Sequence, residues 1–202
     1  MKPQLLEIFR RRHACHLFQA DRVVASDDLD FILEAGRLSP SSFGLEQWKF
    51  IVLSGQHQKL ALQTACFQQP QVGTASVVIV ILAKLAELHP DSDYLQRLMA
   101  REYPGDALES ALKNYRSFHA ATDIKAWSDN QCHIAAANMM TAASGIGIDS
   151  CAIGGFDANT VRSQLTIDPA QYHPSLILAF GYCAQAAGEK LRLPMEELVD
   201  YR

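Results

Sequence analysis

The chain has no apolar run long enough to cross a bilayer: its longest, Val77 to Ala83, falls far short of the roughly 20 residues a membrane helix needs. It has no apolar N-terminal segment with a cleavage site, so a secretory leader is not expected. It has no CxxC pair. Its cysteines (Cys15, Cys66, Cys132, Cys151 and Cys183) are odd in number and widely spaced, which predicts reduced thiols in a cytoplasmic protein. It has no excess of positive charge. With 18 Lys and Arg against 22 Asp and Glu, the net charge of -4 argues against broad binding to nucleic acid or anionic membranes. Repeats, low-complexity tracts and Pro/Gly linkers are absent too. The 202 residues, 49% hydrophobic and 20% charged, therefore read as one domain over residues 1–202, with a core that needs no staples.

Against this acidic background the placing of the cations is informative. Arg10-Arg11-Arg12-His13 lies near one end, and Lys190-Leu191-Arg192-Leu193-Pro194 near the other. Either cluster alone fits a solvated surface, the first as a helix end whose arginines complement the dipole. Arginine also offers a planar, always-charged fork that matches phosphate oxygens. Lys190 and Arg192, two apart in an extended chain, point to one side and suit a doubly charged phosphate. A metal reading of His13, Cys15 and His16 lacks the second ligand pair that soft-metal sites usually show.

Two loops complete the candidate chemistry. Ser39-Pro40-Ser41-Ser42-Phe43-Gly44 reads either as plain helix-to-strand punctuation or as a loop offering hydroxyls and N–H groups to a polar ligand. Gly154-Gly155-Phe156-Asp157 follows an expected strand, and its two glycines permit close backbone approach to a flat ring. It is not a GxGxxG dinucleotide fingerprint.

Periodicity predicts helices over Gln4–Arg12, from a Ser26 cap to Ser39-Pro40, after Gly55, over Trp127–Ser144 and over Asn159–Leu165. Strands are expected at Lys49–Leu53, Ser76–Leu82, Asp149–Ile153 and Ser175–Tyr182, the second buried on both faces. Residues 87–122 read as a polar, irregular helical excursion over a site, and Met195–Val199 as a brief helix. Helices and strands mix without strict alternation, which favours α+β with a central sheet.

The fragments RRRHACHLF, LSPSSFGLEQWKF, GIDSCAIGGFD and KLRLP, in this order, resemble the FMN-dependent nitroreductase family, in particular its oxygen-insensitive NAD(P)H branch, from Arg12 to Val199. The resemblance implies a mixed central sheet flanked by helices, in an intertwined homodimer with FMN at the subunit interface. It implies that Arg12, His13 and Ala14 lie at the FMN phosphate and ribityl chain, with the family's serine hydroxyl lost at Ala14. His16 replaces a lysine near the flavin. Pro40, Ser41, Ser42 and Gly44 would reach FMN of the other subunit, Gly44 replacing an asparagine. Gln68 and Gln71 stand for an Asn and a Lys at the pyrimidine edge, and a missing charge at Gln71 implies a lower flavin potential. Gly154 and Gly155 would present a backbone N–H to flavin N5, and Lys190 and Arg192 would hold the phosphate. The long helix from Trp127 would be the dimer helix.

The activity implied is hydride transfer from NADH or NADPH through FMN to a small planar acceptor, a nitroaromatic or a quinone. No side-chain acid or base is required, so no catalytic residue and no metal are assigned. His16 and the segment from Tyr115 to Phe118 are candidate substrate contacts, with an exposed histidine and a core aromatic pair as the plainer readings. Two other readings are an FMN storage or sensing protein with little turnover, and a non-flavin α/β module using its arginines for a phosphorylated partner.

Overall fold

A computed structural model describes residues 1–202. Four strands, β1 (Trp48–Leu53), β2 (Val77–Lys84), β3 (Asp149–Ile153) and β4 (Tyr172–Gly181), form one sheet in the order β1-β2-β4-β3. The α+β class is as expected. Every strand pairing within the chain is antiparallel, however, where the resemblance implied a mixed sheet; the parallel contribution is a single bridge from Ala14 to Ser150.

All eight residues of β2 are buried, because its continuous β-branched run must cover both faces. Val78, Val80 and Leu82 enter one core with Leu62, Val72, Ile153 and Val161, beneath α3 (Gln56–Ala65), α4 (Pro70–Thr74) and α8 (Ala158–Leu165). Val77, Ile79 and Ile81 enter a second core with Ile32, Met139 and Phe180, beneath α2 (Ser26–Arg37) and α7 (Ile124–Gly145). Each such buried side chain contributes about 1.5–3 kcal/mol relative to exposure. A third core of Leu45, Leu88, Leu95, Leu98, Met99 and Tyr115 lies under α5 (Asp93–Glu102) and α6 (Ala107–Ala121), so residues 87–122 are mostly regular helix with their own apolar anchor.

Local differences have plain causes. Ser26 starts α2 inside its first turn instead of capping it; Ala25 is the cap, and no side chain accepts there. Short α4 begins at Pro70, whose fixed φ suits a first helical turn. The expected helix near the C-terminus is a single 3-10 turn, Met195–Glu197. Helix α1 (Lys2–Arg11) leaves Leu5, Leu6 and Phe9 exposed. No helix is long and apolar enough to cross a membrane.

The expectation of five reduced thiols is corrected. Cys15 and Cys183 are joined in a disulfide with Cα atoms 5.7 Å apart, leaving Cys66, Cys132 and Cys151 free and buried. The partners are 168 residues apart, so no spacing rule could reveal them. The fold brings them together: the segment after α1 runs beside the end of β4, with a Phe18–Cys183 bridge and a Gln19 N–H donating to the Tyr182 carbonyl at 2.8 Å. In the chain-entropy picture a bridge closing so long a loop destabilises the unfolded chain by about 5 kcal/mol.

Candidate active site

Helix α1 ends at Arg11 and Arg12 turns out of it, so the basic cluster projects from a helix end. Across from it runs the extended segment after β4. The two enclose an open cleft of about 440 Å³ lined by Arg10, Arg12, His13 and Ala14 on one side and Gly188 to Arg192 on the other. Both basic clusters of the sequence therefore meet in one place. Lys190 Nζ donates to the Arg12 carbonyl. Burial first, then the nearby positive charges of Arg12 and Arg192, hold the Lys190 ammonium below the usual lysine range. His13 Nδ1 faces the Arg11 carbonyl at 3.2 Å, while its Nε2 is buried with no partner. Crowded cations and an orphaned ring nitrogen suit an anion.

The Gly154-Gly155 turn is exposed, and above Gly154 a side chain would meet nothing within 4 Å. A flat ligand can approach this backbone. Gln69 Nε2 donates to the Gly155 carbonyl at 2.7 Å and to the Cys66 carbonyl at 3.0 Å. Gln71 Nε2 in turn donates to Gln69 Oε1 at 2.9 Å. Phe67 and Gln68 just before them adopt positive φ of 55° and 60°, conformations that cost non-glycine residues about 1–3 kcal/mol and cluster at functional sites.

The Pro40–Gly44 loop lies elsewhere and contributes nothing to the cleft lining. Its Ser41 Oγ accepts from the Glu46 N–H at 2.9 Å, and the Ser42 N–H donates to Gln131 Oε1 on α7 at 3.0 Å. Arg101 on α5 clamps it from outside, donating to the Gly44 carbonyl at 3.0 Å and pairing with Glu46 at 2.9 Å. Phe43 and Gly44 both have positive φ, 57° and 65°.

The model of the nitroreductase family matches residues 9–182. The chain belongs to the nitroreductase family. A protein of Staphylococcus haemolyticus assigned as an NAD(P)H nitroreductase is 35% identical over 215 aligned positions, covering 100% of this chain and 98% of the relative. Two solved structures share the fold. A nitroreductase-like protein from Streptococcus mutans has a TM-score of 0.89 at 22% identity, with 100% of each chain covered. An assigned nitroreductase from Exiguobacterium sibiricum 255-15, solved in complex with FMN, has a TM-score of 0.84 at 22% identity, covering 98% of this chain and 97% of that one.

Within this nitroreductase-family chain the positions singled out from sequence fall into three groups. Arg12, His13, Ala14, Lys190 and Arg192 share the cleft. Gly155 is tied through Gln69 to Gln71, with Gly154 beside it; Gln68 is exposed nearby and His16 is exposed outside the cleft lining. Pro40, Ser41, Ser42 and Gly44 stand apart on the α5–α7 side. Tyr115 is fully buried and its hydroxyl donates to the Leu88 carbonyl at 2.7 Å, so it is a core residue and no substrate contact; Phe118 stacks with Phe43 and Trp127. Sequence reasoning named Arg10 only as part of the basic cluster and not as a cofactor contact, and it missed Gln69 at the glycine turn. The signal for Gln69 was its place in Gln68-Gln69-Pro70-Gln71, where Pro70 starts a helix and leaves Gln69 free at its mouth.

Proposed function

We propose that this chain is an FMN-dependent NAD(P)H oxidoreductase of nitroaromatics, quinones or similar electron-poor acceptors, acting in the cytoplasm as one domain per chain in a homodimer with FMN at the interface. The observation that carries the reading is the convergence of Arg12 and His13 with Lys190 and Arg192 on one cleft. These residues fit a flavin phosphate: four cations, Arg10, Arg12, Lys190 and Arg192, line the cleft, and the buried His13 Nε2 lacks a partner that a phosphate oxygen would supply. The relative named as an NAD(P)H nitroreductase and the fold neighbour solved with FMN support donor and cofactor.

When bound, FMN supplies the N5 centre that takes and returns a hydride. The protein supplies position and electrostatics. Arg12, Lys190 and Arg192 would neutralise the phosphate, and His13, whose Nδ1–H already faces the Arg11 carbonyl, would donate to it from Nε2 in its imidazolium form. The open backbone at Gly154 and Gly155, held by Gln69, would take up the flavin ring. Gln71 brings no positive charge to the pyrimidine edge, which disfavours an anionic reduced ring relative to a lysine there. Pro40, Ser41, Ser42 and Gly44, away from their own chain's cleft, serve the cofactor held by the second subunit; exposed Phe9, Phe31, Leu38, Ile134 and Ile146 supply apolar surface for that contact.

Anaerobic mixing of the yellow protein with NADH or NADPH, followed by a quinone, tests the reading. Bleaching within the turnover time and full reoxidation by the quinone are expected. Flavin that stays oxidised under both donors would contradict the enzyme and favour a storage or sensing role.

A further inference from the structure

The Cys15–Cys183 disulfide joins the two halves of the phosphate cleft. Cys15 follows His13 and Ala14 directly, and Cys183 lies two residues past the end of β4, just before the segment that carries Lys190 and Arg192. Between Gln185 and Leu193 the chain has no regular structure, and its one hydrogen bond to the rest of the protein is Lys190 to the Arg12 carbonyl. Upstream, the segment is anchored at the disulfide: the Ala184 N–H donates to the Leu17 carbonyl at 2.8 Å, Gln19 Nε2 to the Cys183 carbonyl at 2.8 Å, and the Cys183 N–H to Asp149 Oδ2 at 2.8 Å. The cleft wall bearing Lys190 and Arg192 thus hangs between an anchor at Cys183, made of the disulfide and these three hydrogen bonds, and one lysine.

We propose that this disulfide is a redox-controlled clasp on the cofactor cleft: closed, it preorganises Lys190 and Arg192 opposite Arg12 and His13, and reduced by a dithiol it releases the segment and weakens flavin-phosphate binding. The proposal rests on the FMN reading above. Loss of the tie leaves the ordering of the segment to be met by the ligand itself, which lowers affinity.

The chemistry balances with a dithiol as co-reactant. One thiolate of the reductant attacks the half-buried Cys183 sulfur, since Cys15 is fully buried. The S–S bond breaks and Cys15 leaves as a thiolate that takes up a proton. The second thiol of the reductant then closes on its own sulfur, releasing the Cys183 thiol. Two electrons and two protons pass to the protein, and the reductant becomes a disulfide. The other three cysteines do not compete: burial pushes the Cys66 and Cys132 thiols up to about 12 and raises Cys151 as well, so their nucleophilic thiolates are scarce.

Coupling between clasp and cofactor is reciprocal. If closing the disulfide tightens FMN binding by a factor, FMN protects the disulfide from reduction by the same factor, typically about 5- to 150-fold for coupled sites. The experiment alkylates the purified protein under denaturing conditions and counts modified cysteines by mass. It then measures the FMN dissociation constant, under nitrogen, of the oxidised protein, the dithiothreitol-reduced protein and Cys183→Ser. Three modified cysteines before dithiothreitol and five after are expected, with FMN bound about 5- to 150-fold more weakly by the reduced protein. Cys183→Ser should match the reduced form and ignore dithiothreitol. Five modified cysteines in the air-oxidised protein, or one FMN constant in both states, would overturn the clasp while leaving the FMN reading intact. Three modified cysteines with no FMN binding in either state would overturn the FMN reading and the clasp with it.

Discussion

Lys190 donates a hydrogen bond to the backbone carbonyl of Arg12, so the two ends of the chain meet at one atom pair inside the basic cleft. A lysine held there beside Arg12 and Arg192 is short of negative charge. Replacing it by alanine removes one charge-assisted contact to a bound phosphate, about 1.5–3 kcal/mol, and should weaken FMN binding roughly ten- to hundredfold. Titration of apoprotein with FMN by fluorescence quenching measures this directly.

The same residue sets a pH dependence. Burial and two neighbouring cations hold the Lys190 pKa below its ordinary value of about 10.4. A bound phosphate favours the charged lysine, so affinity is full below the free-state pKa and falls as pH rises through it. With the phosphate fully ionised above pH 7, FMN affinity should therefore decline at a lower pH than an ordinary lysine would allow. Lys190→Arg keeps its charge and should flatten the alkaline limb; an unchanged limb would assign the loss to another group.

Gln71 offers a sharper test of the ring environment. Its side chain is nearly buried and turned to Gln69, which holds the Gly155 carbonyl. Gln71→Lys brings a charge to the flavin edge and should raise the two-electron potential by about 30 mV, the equivalent of about 1.4 kcal/mol. It also breaks the link to Gln69, so the apoprotein should melt a few degrees lower. Photoreduction against a reference dye reads the potential; no upward shift would remove Gln71 from the account.

Gly44 has a positive φ of 65°, and a β-carbon there would come within 2.6 Å of the Glu102 side chain. Glu102 is half-exposed and can swing away, so backbone strain dominates, about 1–3 kcal/mol. Gly44→Ala should lower Tm by several degrees and disturb the Pro40–Ser42 loop. Turnover should fall more than FMN affinity of the isolated chain; calorimetry and steady-state rates separate the two.

Tyr115→Phe orphans the buried Leu88 carbonyl. A loss of about 1–2 kcal/mol is expected, or roughly 2–8 °C in Tm, with FMN affinity unchanged. A large change in acceptor KM at constant Tm would restore Tyr115 to the substrate pocket.

Much of the fold was legible because burial forces pattern. The β-branched run of β2 and the largely apolar length of α7 are visible in sequence, although only the fold shows which side of α7 is buried. Basic residues at both ends of an acidic chain pointed to a shared anion site, although each cluster alone also fitted a solvated surface; their meeting is visible only in the fold. What was illegible depends on contacts between remote residues. The Cys15–Cys183 pair has no spacing signature, and Tyr115 could be read as a core or a pocket aromatic because only packing distinguishes a core ring from a lining one. Ser26 looked like a cap, but the backbone turned one residue earlier, at Ala25. Gln69 was hidden between two better-matched glutamines and is distinguished by the carbonyl it reaches.

The most direct test is the visible spectrum of the purified protein, followed by identification of the released chromophore. The account expects a yellow protein that releases FMN at about one per chain. A colourless protein that also fails to take up added FMN would contradict it, leaving the cleft as a site for some other anion.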